Sequence, residues 1–428
     1  MRIVMMALGS RGDIQPFAAL AAGLAARGHA VRLLTYAGFA DLVEGRGVTL
    51  VPVDGDIRED LGSEAAQKMF DEGASPLAVA GAIRDVSERY APGWAKALLE
   101  AARTADLIIP AGATSFIGAT VAEKLGIPYV QAYPQPNLPT RAFPSPLAPP
   151  PKTKPSGFAN WLQSWAVALF FWQVFRPGVN RIRRDVFDLP PYPFPGPYWR
   201  MQRDGGPVLF GHSPSVLAKP DDWPAAAYVT GYWFLDHPEW EMPFELAEFL
   251  AGGPRPIYVG FGSMMPGDAA ATSAKVVAAV RRAGCRAILA GGWGGLKPDA
   301  PAPDIFWLDG APHDRLFCHV DVVVHHGGAG TTAAGLRSGV PAVVVPFLAD
   351  QFFWAWWLEK MGVSGGTIRH RELDAERLAA AIRLAMEDPA IRQRAAFLGR
   401  RIRDENGIAE AVRVIEGAVG QVEARAEP

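Results

Sequence analysis

Cysteine is almost absent from this chain: Cys285 and Cys318 are the only two among 428 residues. Two cysteines cannot build the disulfide framework of a small secreted domain, so that class of protein is excluded. The scarcity of thiols favours a reducing compartment, and we expect the protein to be cytoplasmic.

The sequence also lacks a long apolar run and a charge excess. No run is long enough to span a bilayer, and the apolar stretch before residue 9 suits a first strand better than a signal peptide. A formal net charge of −2 and a pI near 6.5 give no reason to expect a nucleic-acid partner.

Apolar and aromatic side chains are abundant instead. Hydrophobic residues make up 49% of the chain and include 13 tryptophans, more than an ordinary soluble enzyme needs. We therefore expect an apolar ligand or an apolar surface. A chain of this length is too long for one core, so two domains are expected.

The most informative segment is a glycine-rich loop, residues 325–332, with the sequence His-His-Gly-Gly-Ala-Gly-Thr-Thr. It follows a β-branched apolar run at 320–324 and opens a predicted helix that ends near Gly339. At that position the unpaired backbone N–H groups and the helix dipole favour a phosphate group. Taken alone, the loop is equally consistent with a packing turn, and His325 or His326 with a buried core residue.

A second apolar strand, within residues 339–347, is followed by Asp350 and Gln351. Open α/β sheets bind ligands at this end of their strands. Aspartate and glutamine together accept and donate hydrogen bonds to sugar hydroxyls, although Asp350 would also serve as a helix cap.

The first 36 residues predict a strand, a turn at 9–13, a helix and a second strand. This opening does not fit dinucleotide binding, because the turn is not G-x-G-x-x-G and the second strand does not end in an acidic residue. Asp54 and Asp56 form a D-x-D pattern, but with Gly55 between them they predict an ordinary turn rather than a metal site.

Strands at 106–111, 127–131 and 207–211 complete a doubly wound first half, and strands alternating with helices resume at residue 256. The fold class is therefore α/β, with two Rossmann-like parallel-sheet domains facing across a cleft. We place the domains at 1–220 and 226–404, with a linker at 219–224. A final helix within 405–428 is expected to pack back on the first domain.

The insertion at 134–184 is unusual for such a fold, because a proline-rich loop precedes an aromatic helix at 161–175. The arginines Arg176, Arg181, Arg183 and Arg184 follow. One interpretation is the wall of an apolar acceptor pocket, or a segment that dips into a membrane face. The other is a buried core helix followed by solvated arginines.

Together these segments resemble glycosyltransferase family 1, the inverting, metal-independent nucleotide-sugar transferases of the GT-B fold. The resemblance is strongest to the sterol glucosyltransferases of plants, fungi and bacteria, and next to glycosyltransferases that decorate antibiotic aglycones. It rests on motifs spread over nearly the whole chain, at 9–16, 258–263, 292–296, 312–314, 325–335 and 350–351.

The resemblance implies a donor site on the second half, with no metal and no cofactor other than UDP-glucose as co-substrate. His326 would contact the diphosphate, Asp350 and Gln351 would hold the sugar, and Trp293 or the turn at 311–313 would lie near the base. The donor-binding residues so implied are Ser10, Arg11, Gly12, Ser263, Trp293, Pro312, His313, His326, Gly328, Ala329, Gly330, Thr331, Asp350 and Gln351. The acceptor-binding residues expected are Phe143, Trp161, Trp165 and Trp172.

Asp13 aligns with the position where plant members of this family carry a catalytic histidine and antibiotic members carry aspartate. A carboxylate there can take the proton of the acceptor hydroxyl, which contributes about 10²–10⁴-fold to the rate. The alternative role of Asp13 is a helix N-cap. The chain departs from the plant pattern at Ala334, where a ribose-binding acid is absent, and at 111–115, where Thr114 or Ser115 would have to orient Asp13 in place of an aspartate.

The leading hypothesis is transfer of glucose from UDP-glucose to the hydroxyl of a sterol or similar apolar polycycle. The alternative is a TDP- or UDP-sugar transferase acting on a polyketide, macrolide or glycopeptide. Asp13 disfavours a non-catalytic sugar-nucleotide binding protein, and the 161–175 segment disfavours an epimerase. The expected partners are a nucleotide sugar, an apolar small molecule and peripheral contact with a membrane through 161–184, with no nucleic acid and no protein partner implied.

Overall fold

The computed structural model describes residues 1–57, 59, 76–151, 155–198, 201, 206–264, 268–292, 296 and 302–426. Every named strand in it pairs in parallel with its neighbours, as the alternation of strands and helices predicts. The strands form two α/β halves. This is the predicted architecture.

Among the described residues, the first half contains seven strands in two sheets. They are β1 Arg2–Met6, β2 Ala30–Tyr36, β3 Val48–Val53, β4 Leu107–Pro110, β5 Gln131–Tyr133, β6 Val208–Phe210 and β7 Ala227–Val229. The sheets have the orders β3-β2-β1-β4 and β5-β6-β7. Parallel bridges from Ile108 to Tyr129 and from Ala111 to Ala132 connect them. Strand β3 was not predicted; it carries Pro52, which an edge strand tolerates because one of its sides needs no N–H donor.

In the second half, the described strands form one six-stranded sheet with the order β10-β9-β8-β11-β12-β13. Its strands are β8 Ile257–Gly260, β9 Ala287–Ala290, β10 Ile305–Leu308, β11 Val323–His325, β12 Ala342–Val344 and β13 Ser364–Thr367. The central strands β8 and β11 are fully buried, which is why the sequence shows them as continuous apolar runs.

The helices cover both faces of the sheets. They are α1 Arg11–Ala26, α2 Pro76–Ala102, α3 Ser115–Leu125, α4 Gly157–Asp185, α5 Phe244–Ala251, α6 Ala269–Ala283, the short α7 His313–Leu316, α8 Ala329–Ser338, α9 Gln351–Met361, α10 Ala375–Glu387, α11 Pro389–Arg403 and α12 Gly407–Ala426. The aromatic segment predicted at 161–175 is helical, but the helix is longer and begins after Ser156, whose Oγ accepts a hydrogen bond from the Ala159 N–H.

The predicted boundary near residue 220 is too early. Strand β7 pairs with β6, so the first half continues at least to Val229. The predicted linker at 219–224 lies within that half, because Trp223 is buried and stacks on Phe210 at a ring distance of 4.4 Å. The chain crosses to the second half only after β7.

Several contacts join the halves in the described part of the chain, and two of them are apolar. One apolar cluster contains Phe143 and Phe210 from the first half together with Leu336 and Phe353 from the second. In addition, α12 returns to the first half, where Ile415 is fully buried in the core around α1. The halves are therefore packed directly against each other, and the functional residues lie where they meet.

Candidate active site

The turn between β1 and α1 fixes the position of Asp13. Ser10 is the N-cap of α1, and Asp13 Oδ2 accepts hydrogen bonds from both the N–H and the Oγ–H of Ser10, each at 2.9 Å. Gly9 makes this possible, because its φ is +133° and a Cβ atom there would lie 2.6 Å from Asp13 Oδ2. Asp13 is therefore the N3 residue of a capping box, whereas its alternative role was the N-cap, a position that Ser10 occupies. Oδ1 accepts no hydrogen bond from the residues that the structure describes.

The electrostatics of Asp13 suit a base. Burial raises the pKa of its carboxyl above the usual range, and the two Ser10 hydrogen bonds oppose that rise. A carboxylate with a raised pKa holds a transferred proton more firmly than an ordinary surface aspartate does.

What holds Asp13 differs from the expectation. Thr114 donates its hydroxyl to the carbonyl oxygens of Met6 and Ala111, and it thereby ties the end of β4 to β1. It makes no contact with Asp13 among the described residues. Ser10, expected only as a donor-binding residue, is the group that orients the carboxylate.

In the second half, the two histidines of the loop between β11 and α8 have different surroundings. His325 is buried and its Nδ1 accepts the Gly327 N–H at 3.0 Å, so it shapes the loop. His326 lies between two glycines: a Cβ atom on Gly262 would be 2.9 Å from its Cε1, and one on Gly328 2.4 Å from its Nε2. Its Nδ1 has no partner among the described residues. Burial, aided by the nearby His313, lowers the pKa of His326 to about 4, so the ring is neutral at pH 7 and carries one N–H donor.

Helix α8 begins after this loop with an open N-terminus. Its N-cap is Gly328, and no side chain caps it. Thr331 is half-buried in its first turn, whereas Thr332 is buried and its Oγ1 has no partner among the described residues. The first N–H groups of α8 and the His326 ring together form the donor set that an anionic diphosphate requires.

Residues 312–314 lie close to the same place. The His313 ring stacks on Phe317 at 4.4 Å, and burial followed by the charge of Arg11 lowers its pKa to about 4. Arg11 is in the first half, and the effect of its charge on the pKa of His313 indicates that the start of α1 lies close to this turn. Helices α1 and α8 are also in contact.

Asp350 connects the site across the two halves. Its Oδ2 accepts the Trp354 Nε1–H at 3.2 Å and the Gln135 Nε2–H at 3.4 Å, and Gln135 belongs to the first half. Burial, and after it the charge of Asp13, raises the pKa of Asp350 to about 6. The two carboxylates are therefore near enough to repel each other. Sequence reasoning missed Gln135 and Trp354.

Gln351 has a different contact set from the one expected for a sugar-binding residue. Its Oε1 accepts the Phe347 and Leu348 N–H groups at 2.8 and 3.1 Å, and its Nε2 lies 3.3 Å from Met264 Sδ. The side chain is buried and orders the turn that presents Asp350. In this conformation Gln351 supports the loop, and its expected contact with the sugar remains a prediction.

The remaining donor-site residues divide into three groups. Gly12 and Gly330 are exposed, whereas Ser263, Pro312 and Ala329 are half-buried. Trp293 lies outside the described residues. Ala334, the departure from the plant pattern, is half-buried in α8 and packs beside Leu316 and Phe317.

The predicted acceptor side chains also divide. Trp161 is 37% exposed and Trp165 is half-buried, so both are accessible. Trp172 is completely buried, with its Nε1–H donated to the Phe194 carbonyl at 2.8 Å. Phe143 is buried against Phe353 in the cluster between the halves. The prediction that Trp172 and Phe143 line an acceptor pocket is therefore wrong for this conformation, because neither presents surface to a ligand.

The described residues include no group of three or more His, Cys, Asp and Glu side chains arranged to hold a metal ion. Residues 54–56 form a bend, in which the Asp54 carbonyl accepts the Trp94 indole N–H at 2.7 Å. Metal independence remains a prediction.

Two family descriptions match the chain. The glycosyltransferase family 28 N-terminal domain matches residues 3–144, and the erythromycin biosynthesis protein CIII-like C-terminal domain matches residues 301–414. The first match contains Asp13, and the second contains the loop at 325–332 and Asp350.

Relatives and solved structures of glycosyltransferases are also similar to this chain. A sterol 3-beta-glucosyltransferase of Neosartorya fischeri is 35% identical over 432 residues, which cover 97% of this chain and 29% of that protein. The chain thus spans less than a third of the relatives' length. The crystal structure of the kitacinnamycin glycotransferase has a TM-score of 0.70 at 22% identity, covering 97% of this chain and 98% of that one. The glycosyltransferase VinC in complex with dTDP has a TM-score of 0.63 at 18% identity, covering 98% and 100%.

Proposed function

Because the chain belongs to the glycosyltransferases of the GT-B fold, we propose that it transfers glucose from UDP-glucose to the hydroxyl of a sterol or a similar apolar polycycle. In this proposal Asp13 is the general base, the anomeric carbon is inverted and no metal takes part. The observation that carries the proposal is that the halves meet at these residues: Gln135 of the first half donates to Asp350 Oδ2 of the second at 3.4 Å, and α1, which carries Asp13, contacts α8, which follows His326.

In the proposed reaction the first half removes the proton of the acceptor hydroxyl, and the second half stabilises the leaving diphosphate. The acceptor oxygen attacks the anomeric carbon in line with the bond to the diphosphate, and Asp13 takes the hydroxyl proton as the new bond forms. The breaking bond leaves its electron pair on UDP. The neutral His326 ring and the first N–H groups of α8 donate hydrogen bonds to the growing negative charge, which replaces the role of a metal.

Asp350 is proposed to recognise the sugar. Its Oδ2 is already held by Trp354, so the carboxylate has a fixed orientation from which it can accept hydrogen bonds from sugar hydroxyls. Gln351 supports that orientation through the turn at residues 347–348. The carboxylate and the turn that presents it would thus act together on the donor.

The sterol-like acceptor is proposed from two observations. The relatives that are 35% identical over nearly the whole chain carry the name sterol 3-beta-glucosyltransferase. The first half also keeps accessible aromatic surface at Trp161 and Trp165, which we propose as acceptor contacts. An apolar polycycle would bury such surface on binding.

A second candidate has its own support. The structural neighbours are glycosyltransferases of antibiotic pathways, and one of them is in complex with dTDP. Transfer of a TDP- or UDP-sugar to a polyketide, macrolide or glycopeptide is therefore the alternative. A donor panel that compares UDP-glucose with TDP-sugars separates the two candidates.

The test is an assay of the purified protein with UDP-glucose and a panel of sterols, polyketides and phenols. We expect release of UDP and a β-linked glucoside, identified by mass spectrometry and by the anomeric NMR coupling. Asp13→Asn should lower kcat by about 10²–10⁴-fold while UDP affinity is unchanged. Asp85→Asn, at an exposed position on α2, is the control and should retain full activity. An α-linked product, or full turnover in Asp13→Asn, would exclude the mechanism.

We also propose a cytoplasmic location at the surface of a membrane. The free thiols of Cys285 and Cys318 support a reducing compartment. None of the described helices has the length and apolarity needed to cross a bilayer. In cell fractionation, protein that salt washes release from membranes would support peripheral contact, and a requirement for detergent would contradict it.

A further inference from the structure

The exposed apolar surface of this protein is concentrated in one segment. Nine large apolar side chains are exposed in the described part of the chain, and six of them come from residues 147–194. These six are Leu147, Phe158, Trp161, Leu162, Leu169 and Phe194. Scattered apolar side chains need no explanation, but a concentration on one segment marks an interaction surface.

Helix α4 provides the centre of this surface. Phe158, Leu162 and Leu169 recur at helical spacing, so they share one side of α4, and they are 60%, 53% and 38% exposed. Trp161 lies beside them and stacks on Phe158 at 6.1 Å. The opposite side of the helix is buried through residues such as Val174 and Ile182. The outward stripe is therefore apolar although it faces solvent.

Contacts on both sides of α4 extend the stripe into a continuous surface. Near its start, the Ser145 N–H donates to Gln163 Oε1 at 3.3 Å, which brings the segment containing Leu147 against the helix. Near its middle, Gln173 Nε2 donates to the Phe194 carbonyl at 2.8 Å. The Arg176 guanidinium lies 5.2 Å from the centre of the Phe194 ring. We call this surface, formed by residues 147–151 and 155–194, the α4 face.

Basic residues outnumber acidic ones on the α4 face. Its described residues, 147–151 and 155–194, contain four arginines and two aspartates, Asp185 and Asp188, in a chain whose net charge is −2. Arg183 is neutralised by Glu123 at 2.9 Å. Arg176, Arg181 and Arg184 have no acidic partner among the described residues, and the last two are exposed. Stable peripheral binding to a membrane requires two contributions: apolar side chains that enter the bilayer interface, and a group of cations that attracts anionic lipids.

We infer that the α4 face docks on an anionic lipid bilayer, with Phe158, Leu162 and Leu169 entering the interface and Arg176, Arg181 and Arg184 contacting headgroup phosphates. The inference goes beyond the proposed reaction and gives the proposed membrane contact a defined face and a lipid preference. An apolar acceptor dissolved in that bilayer would then be delivered to the half of the protein that carries Asp13.

Cosedimentation of the full chain with vesicles tests this inference. The vesicles contain phosphatidylcholine alone or phosphatidylcholine mixed with phosphatidylglycerol, and the solution contains no sugar donor and no acceptor. We expect binding to the mixed vesicles that weakens as salt is added, and much weaker binding to the neutral ones. Because no reaction is measured, failure here and failure of the proposed reaction are distinguishable.

Two double variants divide the α4 face into its parts. Phe158→Ser with Leu162→Ser should weaken binding about 10-fold or more through lost apolar burial. Arg181→Gln with Arg184→Gln should weaken it about 25-fold, or about fivefold for each arginine. The matched control is Phe244→Ser, which removes a side chain that is 70% exposed on the second half and should leave binding unchanged. Thermal unfolding of each variant confirms that the fold is retained.

Three outcomes overturn the inference. The first is the absence of binding to either kind of vesicle. The second is equal loss of binding in the Phe244→Ser control and in the Phe158→Ser, Leu162→Ser variant. The third is a wild-type dimer in sedimentation velocity that the Phe158→Ser, Leu162→Ser variant converts to a monomer, which would assign the α4 face to a second copy of the chain.

Discussion

At the scale of single residues, Gly9 decides where the Asp13 carboxylate lies. A Cβ atom at Gly9 would be 2.6 Å from Asp13 Oδ2, and the φ of +133° is one that L side chains rarely adopt. Gly9→Ala should therefore displace the carboxylate, and a shift of about 1 Å costs about 10²-fold in rate. We expect kcat to fall by about that factor in steady-state kinetics, with UDP affinity unchanged in calorimetry.

Gly28→Ala is the control for that variant. Gly28 also has a positive φ, +84°, but nothing lies within 4 Å of the Cβ that alanine would add. It should cost roughly 1 kcal/mol of stability from backbone strain and leave kcat unchanged. If the two variants lose activity equally, strain rather than the position of Asp13 would be responsible.

Gln135, on the opposite half, donates a hydrogen bond to Asp350 that opposes the rise in the pKa of its carboxyl. Burial and the charge of Asp13 raise the pKa of Asp350 to about 6, and the hydrogen bonds from Gln135 and Trp354 oppose that rise. Gln135→Leu removes one of these bonds, so the pKa should rise further. The protonated acid accepts fewer hydrogen bonds from the sugar, so KM for the donor should increase as pH falls through this pKa.

The measurement is KM for the donor against pH. The midpoint of the increase in KM should lie at a higher pH in Gln135→Leu than in the wild type. The two curves should meet at alkaline pH, where the Asp350 carboxyl is ionised in both proteins. Asn137→Ala, an exposed position two residues away, should reproduce the wild-type curve. An unchanged midpoint in Gln135→Leu would show that Gln135 does not act through Asp350.

These residues differ in how far the sequence could identify them. Ser10 and Asp13, three residues apart at a helix start, are a recognisable capping signal, so the sequence could have shown which group orients the Asp13 carboxylate. The loop at 325–332 was singled out because a glycine-rich turn between an apolar strand and a helix is followed by a second apolar strand that ends at Asp350 and Gln351. Gln135 and Asp350 are 215 residues apart, and no local pattern connects them.

At the scale of secondary structure, helices and strands with a strong apolar pattern were predicted from the sequence, and those with a weak pattern were not. Helix α4 was found because its aromatic residues are dense, whereas β13, with the sequence Ser-Gly-Gly-Thr, has no apolar pattern. Trp172 was misassigned for a different reason. The carbonyls of Pro193 and Phe194 accept its indole N–H, so a later loop covers it. Periodicity along a helix places a residue on a face but does not reveal what covers that face.

Arg183 connects α4 to α3 through an ion pair with Glu123. It is 1% exposed, its Nη1 and Nη2 bond to the Glu123 carboxylate at 2.9 and 3.3 Å, and its Nε donates to the Pro190 carbonyl at 2.7 Å. Arg183→Ala leaves Glu123 without this partner. Since Glu123 keeps some solvent contact, we expect a loss of about 3 kcal/mol, the lower end for breaking a buried pair.

Urea unfolding measures this loss. Arg184→Ala is the matched control, because Arg184 is the next residue and is exposed, and it should change stability by less than about 0.5 kcal/mol. Equal effects of the two variants would show that Arg183 acts only as a surface charge.

At the scale of the whole molecule, the two chain crossings between the halves touch each other. The first crossing follows β7 at Gly231, and the second precedes α12 at Gly407. A Cβ atom on Gly407 would lie 2.5 Å from the Gly231 carbonyl carbon and 2.5 Å from the Tyr232 carbonyl oxygen. Beside them, Ser213 Oγ donates to Glu405 Oε1 at 2.7 Å. The relative position of the halves, and hence of Asp13 and Asp350, depends on this contact.

Gly407→Ala should therefore disturb the alignment of the halves more than either half alone. Both atoms that the new Cβ would meet are backbone atoms, which cannot rotate away, so the crossings must separate. We expect a stability loss of about 1–3 kcal/mol, as for other overpacked positions. We also expect a fall in kcat with UDP affinity nearly retained, because the loop around His326 lies wholly in the second half.

Gly417→Ala is the control within the same helix, since nothing lies within 4 Å of the Cβ that it would add. It should leave kcat unchanged and stabilise α12 slightly, because alanine is the better helix former. Thermal unfolding, calorimetry with UDP and steady-state kinetics on both variants make the comparison. Loss of UDP affinity in parallel with kcat in Gly407→Ala would show that the contact supports the second half itself rather than its alignment with Asp13.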